Sequence, residues 1–500
     1  MFGVTLPRFR AVRRDRSFSR KVEYAAHVRH RQRRRTITLW GSDLRRFWAL
    51  YGTTANGGAN GAGTVFKLAP PAIAGGSWTE TILYSFTGTL GDGAQPSAGL
   101  ISDTSGALYG TTTGGGSGSG TVFVLTPPAA SGGSWTETVL YSFTGGSDGG
   151  SPNAALLSDA SGALYGTTEN GGSNNSGTAF KLVPATAAAI STCQADYNLE
   201  LSTCNPYAPD YKACINAATH DLNQCTAHYS TETVLHSFIG GTSDGSNPVA
   251  ALISDASGAL YGTTGSGGTN NAGTVFKLTP HNPANPNSCQ VAYNASVAIC
   301  NANFNTATNL NLCAPTDTAC QAYYNNQLSI CLGQATTTLS ACTPIPDDET
   351  LLHSFAGGIG DGSNPAARLT LDPSGALYGT MQAGGKSGYG TVFKLLPPTD
   401  GKWTEAVLRS FSGSDGAFPV AGLTGDASGL LYGVTAGDTS IAGTVFQLTA
   451  FTGVPGKANC TSQSLAFLAK KYGSNAAAAE ALGYPSVAAL QEDILDYCSE

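Results

Sequence analysis

Residues 159–182 read DASGALYGTTENGGSNNSGTAFKL, and this stretch decides the fold because close copies of it recur along the chain. Its Leu-Tyr-Gly motif recurs at Leu50, Leu108, Leu164, Leu260, Leu377 and Leu431. A Gly-Thr-Val-Phe motif or a near copy follows each time, beginning at Gly63, Gly120, Gly177, Gly273, Gly390 and Gly443. Self-similarity of this kind, at 54 to 58 residues where no insertion intervenes, indicates a repeat architecture.

Each repeat predicts four short strands separated by turn residues. In residues 137–182 these strands are Thr138–Phe143, Ala154–Ser158, Ala163–Thr168 and Thr178–Leu182. Four antiparallel strands per repeat are typical of a β-propeller blade. Five repeats carry the opening strand, which ends in Ser-Phe, whereas six carry the closing pair. The sequence therefore predicts an all-β propeller of about six four-stranded blades over residues 49–449, with an incomplete first blade.

The repeat also resembles known sequences. Residues 159–167 are similar to the Asp-x-x-Gly-x-Leu-aromatic hairpin of several propeller families. The whole unit resembles the GloVer repeat of the "choice-of-anchor" tandem-repeat proteins, over residues 49–449 apart from two insertions. This resemblance implies a bacterial surface or secreted protein of undefined activity, usually with an anchor at its end. No sorting motif or hydrophobic anchor stands in this sequence, so the resemblance does not extend to an anchor.

Charge is divided unevenly along the chain. The first 46 residues hold 14 of the 26 Lys and Arg but only three of the 33 Asp and Glu, which leaves 12 basic and 30 acidic residues beyond them. An acidic body does not favour nucleic-acid binding. The basic segment, residues 1–48, lacks the apolar core of a secretory signal, and no stretch is long enough to span a bilayer. Because this segment ends abruptly inside a repeat, we expect it to be disordered or not native, the product of a mis-set start or a frameshift.

All 12 cysteines lie outside the predicted blades. They fall in two insertions, at about 187–229 and 282–347, and in the segment 450–500. The spacing Cys-x10-Cys recurs, and eleven residues make about three helical turns, so both sulfurs lie on one face of a helix. Short Cys-x2-4-Cys motifs, which zinc sites favour, are absent from the sequence. The insertions are therefore predicted to be disulfide-rich helical hairpins, and disulfides imply an oxidising compartment outside the cytoplasm.

The pairing of the cysteines follows from this arrangement in part. Two antiparallel helices in the first insertion would join Cys193 to Cys225 and Cys204 to Cys214, a layout that resembles twin Cys-x9-Cys hairpin proteins. In the second insertion the pairing stays open. The last two cysteines, Cys460 and Cys498, are predicted to close a small helical module in residues 450–500.

A candidate ligand-binding ring lies on the first strand of each repeat. One aromatic or charged residue stands before Ser-Phe each time, and these residues are Tyr84, Tyr141, His236, His353 and Arg409. If this strand is the innermost of its blade, the five side chains border the central channel and could bind a ligand such as a glycan. Ordinary packing with polar tips is the alternative.

Two other repeated positions have structural explanations. The loop aspartates Asp92, Asp148, Asp244, Asp361 and Asp415 are each followed by Gly, which favours a turn over a Ca²⁺ site. Four lysines are predicted to protect the outer edge of their sheets, and they are Lys67, Lys181, Lys277 and Lys394.

The sequence contains no Gly-x-Ser-x-Gly, His-Glu-x-x-His or phosphate-loop motif, and it predicts no catalytic residue, metal ligand or cofactor. We expect a monomeric binding scaffold, secreted or in the cell envelope, with a glycan or protein ligand. The alternatives are a carbohydrate-active enzyme, such as a polysaccharide lyase or glycoside hydrolase, and a structural surface protein. Unrepeated carboxylates, His or Tyr at the channel mouth would favour the enzyme, whereas repeat-equivalent residues alone would favour binding.

Overall fold

A computed structural model describes the sixteen stretches of the chain that follow. They are residues 24–30, 33–39, 49–71, 76–89, 91–130, 132–185, 199–200, 202–204, 214, 230–279, 348–398, 401–425, 430–437, 443–449, 459–482 and 484–499. The chain divides into two compact units, residues 278–349 and the remainder. Within the larger unit, six sheets of three or four antiparallel strands form the blades of a β-propeller, numbered 1 to 6 in chain order.

The strands fall into classes that repeat from blade to blade, after an N-terminal antiparallel pair of β1 (Tyr24–His30) and β2 (Arg33–Leu39). The Leu-Tyr-Gly strands are β3 (Leu50–Thr54), β8 (Leu108–Thr112), β13 (Leu164–Thr168), β18 (Leu260–Thr264), β24 (Leu377–Met381) and β29 (Leu430–Val434). The Phe strands are β4 (Thr64–Ala69), β10 (Thr121–Thr126), β14 (Thr178–Val183), β20 (Thr274–Thr279), β26 (Thr391–Leu396) and β30 (Val445–Thr449). The edge strands are β5 (Thr79–Ser85), β11 (Thr136–Ser142), β15 (Thr231–Ser237), β21 (Asp348–Ser354) and β27 (Thr404–Ser410).

Two classes of very short strand complete the pattern. The short strands that begin a blade are β7 (Ile101–Ser102), β12 (Leu157–Ser158), β17 (Ile253–Ser254), β23 (Thr370–Leu371) and β28 (Thr424–Gly425). The loop strands form three separate pairs, and they are β6 (Gly93–Ala94), β9 (Gly114–Gly115), β16 (Gly245–Ser246), β19 (Ser266–Gly267), β22 (Gly362–Ser363) and β25 (Ala383–Gly384).

A complete blade runs from short strand to Leu-Tyr-Gly strand, Phe strand and edge strand, as in the order β7, β8, β10, β11. The first sheet, β3-β4-β5, has no short strand, and the sixth, β28-β29-β30, has no edge strand among the described residues. The predicted six-bladed propeller with an incomplete first blade is thus confirmed.

The predicted composition of a single blade is wrong by one strand. The strand that ends in Ser-Phe was expected to open a blade, but Ser142 of β11 pairs with Thr121 of β10 and so closes the blade before it. The physical reason is chain connectivity, because β11 follows β10 directly and consecutive strands of an antiparallel sheet usually pair. The chain crosses to the next blade only after the edge strand.

The lysine prediction fails for the same reason. The Phe strand lies between the Leu-Tyr-Gly strand and the edge strand, so its lysines do not protect a sheet edge. Each ammonium group instead lies 5.2 to 5.8 Å from the centre of a tyrosine ring on the neighbouring strand, a distance at which a cation–π contact is favourable. The four pairs are Lys67 with Tyr51, Lys181 with Tyr165, Lys277 with Tyr261, and Lys394 with Tyr378.

The predicted C-terminal helices are present. They are α1 (Cys460–Tyr472), α2 (Asn475–Leu482) and α3 (Val487–Ser499), and α1 ends at Gly473, whose φ of 87° is left-handed. The predicted disulfides Cys460–Cys498 and Cys204–Cys214 are confirmed. Cys193, Cys225 and the cysteines of the second insertion lie outside the described residues, as do most residues of the predicted helical hairpins. No helix in the described ranges has the length and apolar character that a bilayer crossing requires.

The glycine of the Leu-Tyr-Gly motif is predicted to be essential for packing. A Cβ at Gly110 would lie 2.7 Å from Cζ of the buried Phe123 and 2.8 Å from Leu100 Cδ2. Gly110→Ala should therefore lower the free energy of unfolding by about 1–3 kcal/mol, the usual cost of overpacking a core. Gly114→Ala in the same blade is the control, since its Cβ would meet nothing closer than 3.7 Å. Urea denaturation measures both, and equal destabilisation would contradict the prediction.

Candidate functional site

The loop aspartates organise one end of each blade. Asp92 accepts hydrogen bonds from the backbone amides of Thr87 and Gly93, both at 2.6 Å, and from the Thr87 hydroxyl. In the other repeats the equivalent amide donors are Thr144 to Asp148, Ile239 to Asp244, Ala356 to Asp361, and Ser412 to Asp415. These bonds fix the loop that follows the edge strand. They give each aspartate a structural role in its turn.

The aspartate loop is joined to the Gly-rich loop of the same repeat. Loop strands connect them through the backbone pairs Gly93 with Gly115, Gly245 with Gly267, and Gly362 with Gly384. We call the end of the propeller formed by these two sets of loops the loop face. The turns of sequence Asp-x-Ser-Gly or a near copy, such as 159–162, lie at the opposite end of the strands.

The five candidate ring residues all lie on edge strands, and four of them contact the aspartate of their own repeat. The separations are Tyr84 Oη to Asp92 3.3 Å, Tyr141 Oη to Asp148 3.2 Å, His236 Nε2 to Asp244 3.3 Å, and Arg409 Nη2 to Asp415 2.7 Å. The fifth, His353, lies near Asp361. An edge strand is the end of its sheet opposite the short strand, so these residues do not lie on the innermost strand. Whether they bind a ligand stays a prediction.

In several repeats a glutamate from the following edge strand joins the contact, and sequence reasoning missed these glutamates, which include Glu137, Glu232 and Glu405. Glu137 is buried, with 4% of its surface exposed, and neither of its carboxylate oxygens has a hydrogen-bond partner. Burial, together with the charge of nearby Asp92, raises the pKa of Glu137 well above its ordinary value. Burial, then Asp148, raises the pKa of Glu232 to about 7. A recurring Thr-Glu pair near the start of the edge strand, at 136–137, 231–232 and 404–405, was the available signal.

The fourth repeat brings a histidine together with two carboxylates. His353 Nε2 lies 3.3 Å from Glu405 Oε2, and one ligand atom each from His353, Asp361 and Glu405 lies within 4.8 Å of the others. Imidazole and carboxylate groups are zinc ligands, so these three residues could hold a divalent cation. At the same position other repeats place a tyrosine hydroxyl, a guanidinium or the imidazole of His236 beside the aspartate. A hydrogen-bond donor is therefore the feature that the position shares from repeat to repeat.

A cavity of about 390 Å³ lies where the blades meet. Its lining includes Ile101 of blade 2, Leu157 of blade 3 and Arg368 of blade 5, all in or beside short strands, and Tyr51 of blade 1. Residues from blades that are not sequence neighbours can share one cavity only near the central axis. The short strands therefore face the channel, and the edge strands lie on the outside.

The polar groups beside the loop aspartates recur from repeat to repeat, whereas the charged group at the cavity does not. The tyrosine or histidine, the aspartate and the glutamate recur as a set in successive repeats. Arg368, in contrast, stands where the other repeats have Gly99, Ala155, Ala251 and Gly422. Among the residues that the structure describes, no carboxylate or histidine lines the cavity.

The repeat of this chain is similar to that of a known protein family. The model of a family described as "Gloeobacter/Verrucomicrobia repeat" matches residues 46–208 and 335–475, together more than half of the 500-residue chain. No curated protein matches the chain.

The raised pKa of Glu232 predicts a pH-dependent stability. Between about pH 4.5 and 7 the folded chain keeps a proton on Glu232 that the unfolded chain releases. The contribution of protonated Glu232 to the free energy of unfolding is therefore fully present below about pH 4.5, and it is lost as the pH rises through about 7. The substitution Glu232→Gln introduces a neutral side chain of the same shape, so the variant does not lose this stability as the pH rises. Relative to the wild type it should gain stability between pH 4.5 and 8, on the order of 1–2 kcal/mol because Glu232 is only partly buried.

Urea denaturation across this pH range measures the effect. The matched control is Glu80→Gln, since Glu80 holds the equivalent position in the first repeat but is exposed. Parallel pH profiles for the wild type and Glu232→Gln would contradict the prediction.

Proposed function

Because the chain belongs to the Gloeobacter/Verrucomicrobia repeat family and folds as a propeller, we propose that it is an extracytoplasmic binding scaffold whose ligand contacts the loop face. The observation that carries this proposal is that the loops are fixed before any ligand arrives. The aspartate loops are held by backbone amides and paired to the Gly-rich loops. Binding to a preorganised surface avoids much of the entropy lost when flexible loops become ordered.

The loop face also presents apolar groups to solvent. Ile239 is 55% exposed and Ile359 is 76% exposed, and each lies in an aspartate loop. The backbone amide of Ile239 donates to Asp244, so this side chain extends from a fixed backbone. Exposed aliphatic side chains among polar loop residues are suited to the apolar faces of sugar rings or to a protein surface.

The disulfides support a location outside the cytoplasm. Cys204–Cys214 and Cys460–Cys498 join cysteines in two separate regions, and such bridges persist mainly in oxidising compartments. A secreted protein and one held at the cell envelope are equally consistent with them.

We expect the folded protein to bind members of a glycan array through the loop face. Ile239→Asp combined with Ile359→Asp should weaken that binding about tenfold or more, because a carboxylate replaces an apolar contact. Val183→Asp is the control, since Val183 is 49% exposed but lies at the opposite end of its blade.

The same array tests the alternatives. Binding that the loop-face substitutions leave intact would contradict the proposal, whereas turnover of a bound glycan would favour the carbohydrate-active enzyme. A protein that bound no glycan would direct the search to protein ligands.

A further inference from the structure

One residue of the central cavity departs from the repeat. Arg368 occupies a position at which the other complete repeats have only glycine or alanine. In the next blade the equivalent position suits glycine, because a Cβ at Gly422 would come 2.8 Å from the Arg368 carbonyl oxygen. Arg368 is thus the only large side chain at this position of the repeat, and it lines the cavity.

Next to Arg368, the propeller lacks a hydrogen bond that four other pairs of successive blades make. Thr53, Thr111, Thr167 and Thr380 each donate a hydroxyl to the carbonyl of an alanine in the next blade, namely Ala98, Ala154, Ala250 and Ala421. The equivalent threonine, Thr263, has a buried hydroxyl with no partner, and its expected acceptor is Ala367, beside Arg368. A buried hydroxyl without a partner is unfavourable. Arg368 therefore coincides with a local departure from the best packing of the repeat.

The guanidinium of Arg368 carries a positive charge that nothing in the described part of the chain neutralises. Its Nε is buried and makes no hydrogen bond. The cavity around it is lined mainly by aliphatic side chains, including the buried Leu100, Leu108 and Leu156. Guanidinium remains charged at all physiological pH values, and a charge beside apolar walls is stabilised when an anion pairs with it.

We propose that the central cavity binds a small organic anion with an apolar body, and that the class of ligand is a monocarboxylate. The carboxylate pairs with Arg368, and the aliphatic or aromatic body lies against Leu100, Leu156 and Leu157. The volume of about 390 Å³ is within the range of small-molecule sites. A single cation matches a single negative charge, and the aliphatic lining excludes polyanions and unsubstituted sugars.

This site is independent of the proposed loop-face function. The exposed residues Ser102, Gly106 and Ser158 also line the cavity, and all three lie in or beside the turns at the end of the blades opposite the loop face. The cavity therefore opens away from the loops. A failure of either proposal leaves the other standing.

Isothermal titration of the full chain with matched pairs of probes tests the inference. The pairs are octanoate with octanamide and 2-naphthoate with 2-naphthamide, which differ in charge but hardly in shape. In the wild type we expect at least one carboxylate to bind tenfold or more tightly than its amide, since a charge-assisted pair requires the anion. Arg368→Ala should abolish this preference, and Arg368→Lys should retain part of it.

The variants are chosen to fold. Alanine is the residue that two other repeats have at this position, so Arg368→Ala should keep or raise the thermal unfolding temperature. Lys402→Ala, which removes an exposed cation elsewhere, should leave the preference for the acid unchanged. Equal binding of acid and amide, no binding of any probe by the wild type, or a preference that survives Arg368→Ala would each overturn the inference.

Discussion

The propeller depends on one contact between phenylalanines of successive blades. The phenylalanine that follows each edge strand packs edge to face on the phenylalanine of the next blade's Phe strand, with ring centres 5.0 to 5.1 Å apart. The pairs are Phe86 with Phe123, Phe143 with Phe180, Phe238 with Phe276, Phe355 with Phe393, and Phe411 with Phe446. The glycine of each Leu-Tyr-Gly strand leaves room for the second ring, as Gly166 does for Phe180. The repeat thus encodes an interface between blades as well as a blade.

This contact explains why the sequence predicts the fold well but assigns one strand to the wrong blade. The motifs that end in Ser-Phe and in Val-Phe recur together, so periodicity alone places them in one unit. The structure separates them, because β11 pairs with β10 of its own blade while Phe143 packs on Phe180 of the next. A periodic pattern specifies neighbours but not whether hydrogen bonds or side chains join them. The C-terminal helices and two disulfides, which depend on local spacing, were predictable for that reason.

The candidate sites were less predictable than the fold. Tyr84 and Asp92 were each identified from the sequence, but their contact depends on the course of a loop. Glu137 is buried near Asp92 of the preceding repeat, whereas Glu80 at the equivalent position is exposed. Arg368 was visible in an alignment of the repeats, but its position at the central cavity required knowing which strand is innermost. Contacts between repeats cannot be predicted when the sequence of each repeat is considered separately.

Repetition and departure from it have different consequences in this chain. Groups that recur, such as Asp92 and its equivalents, hold the loops and satisfy the backbone, and they give every blade the same rigid end. A group that occurs once cannot be required by the fold, because the other blades form without it. Arg368 is such a group, and it stands beside the unpaired hydroxyl of Thr263. A charge that costs stability and serves no repeated contact is best explained by a ligand that the regular propeller would not bind.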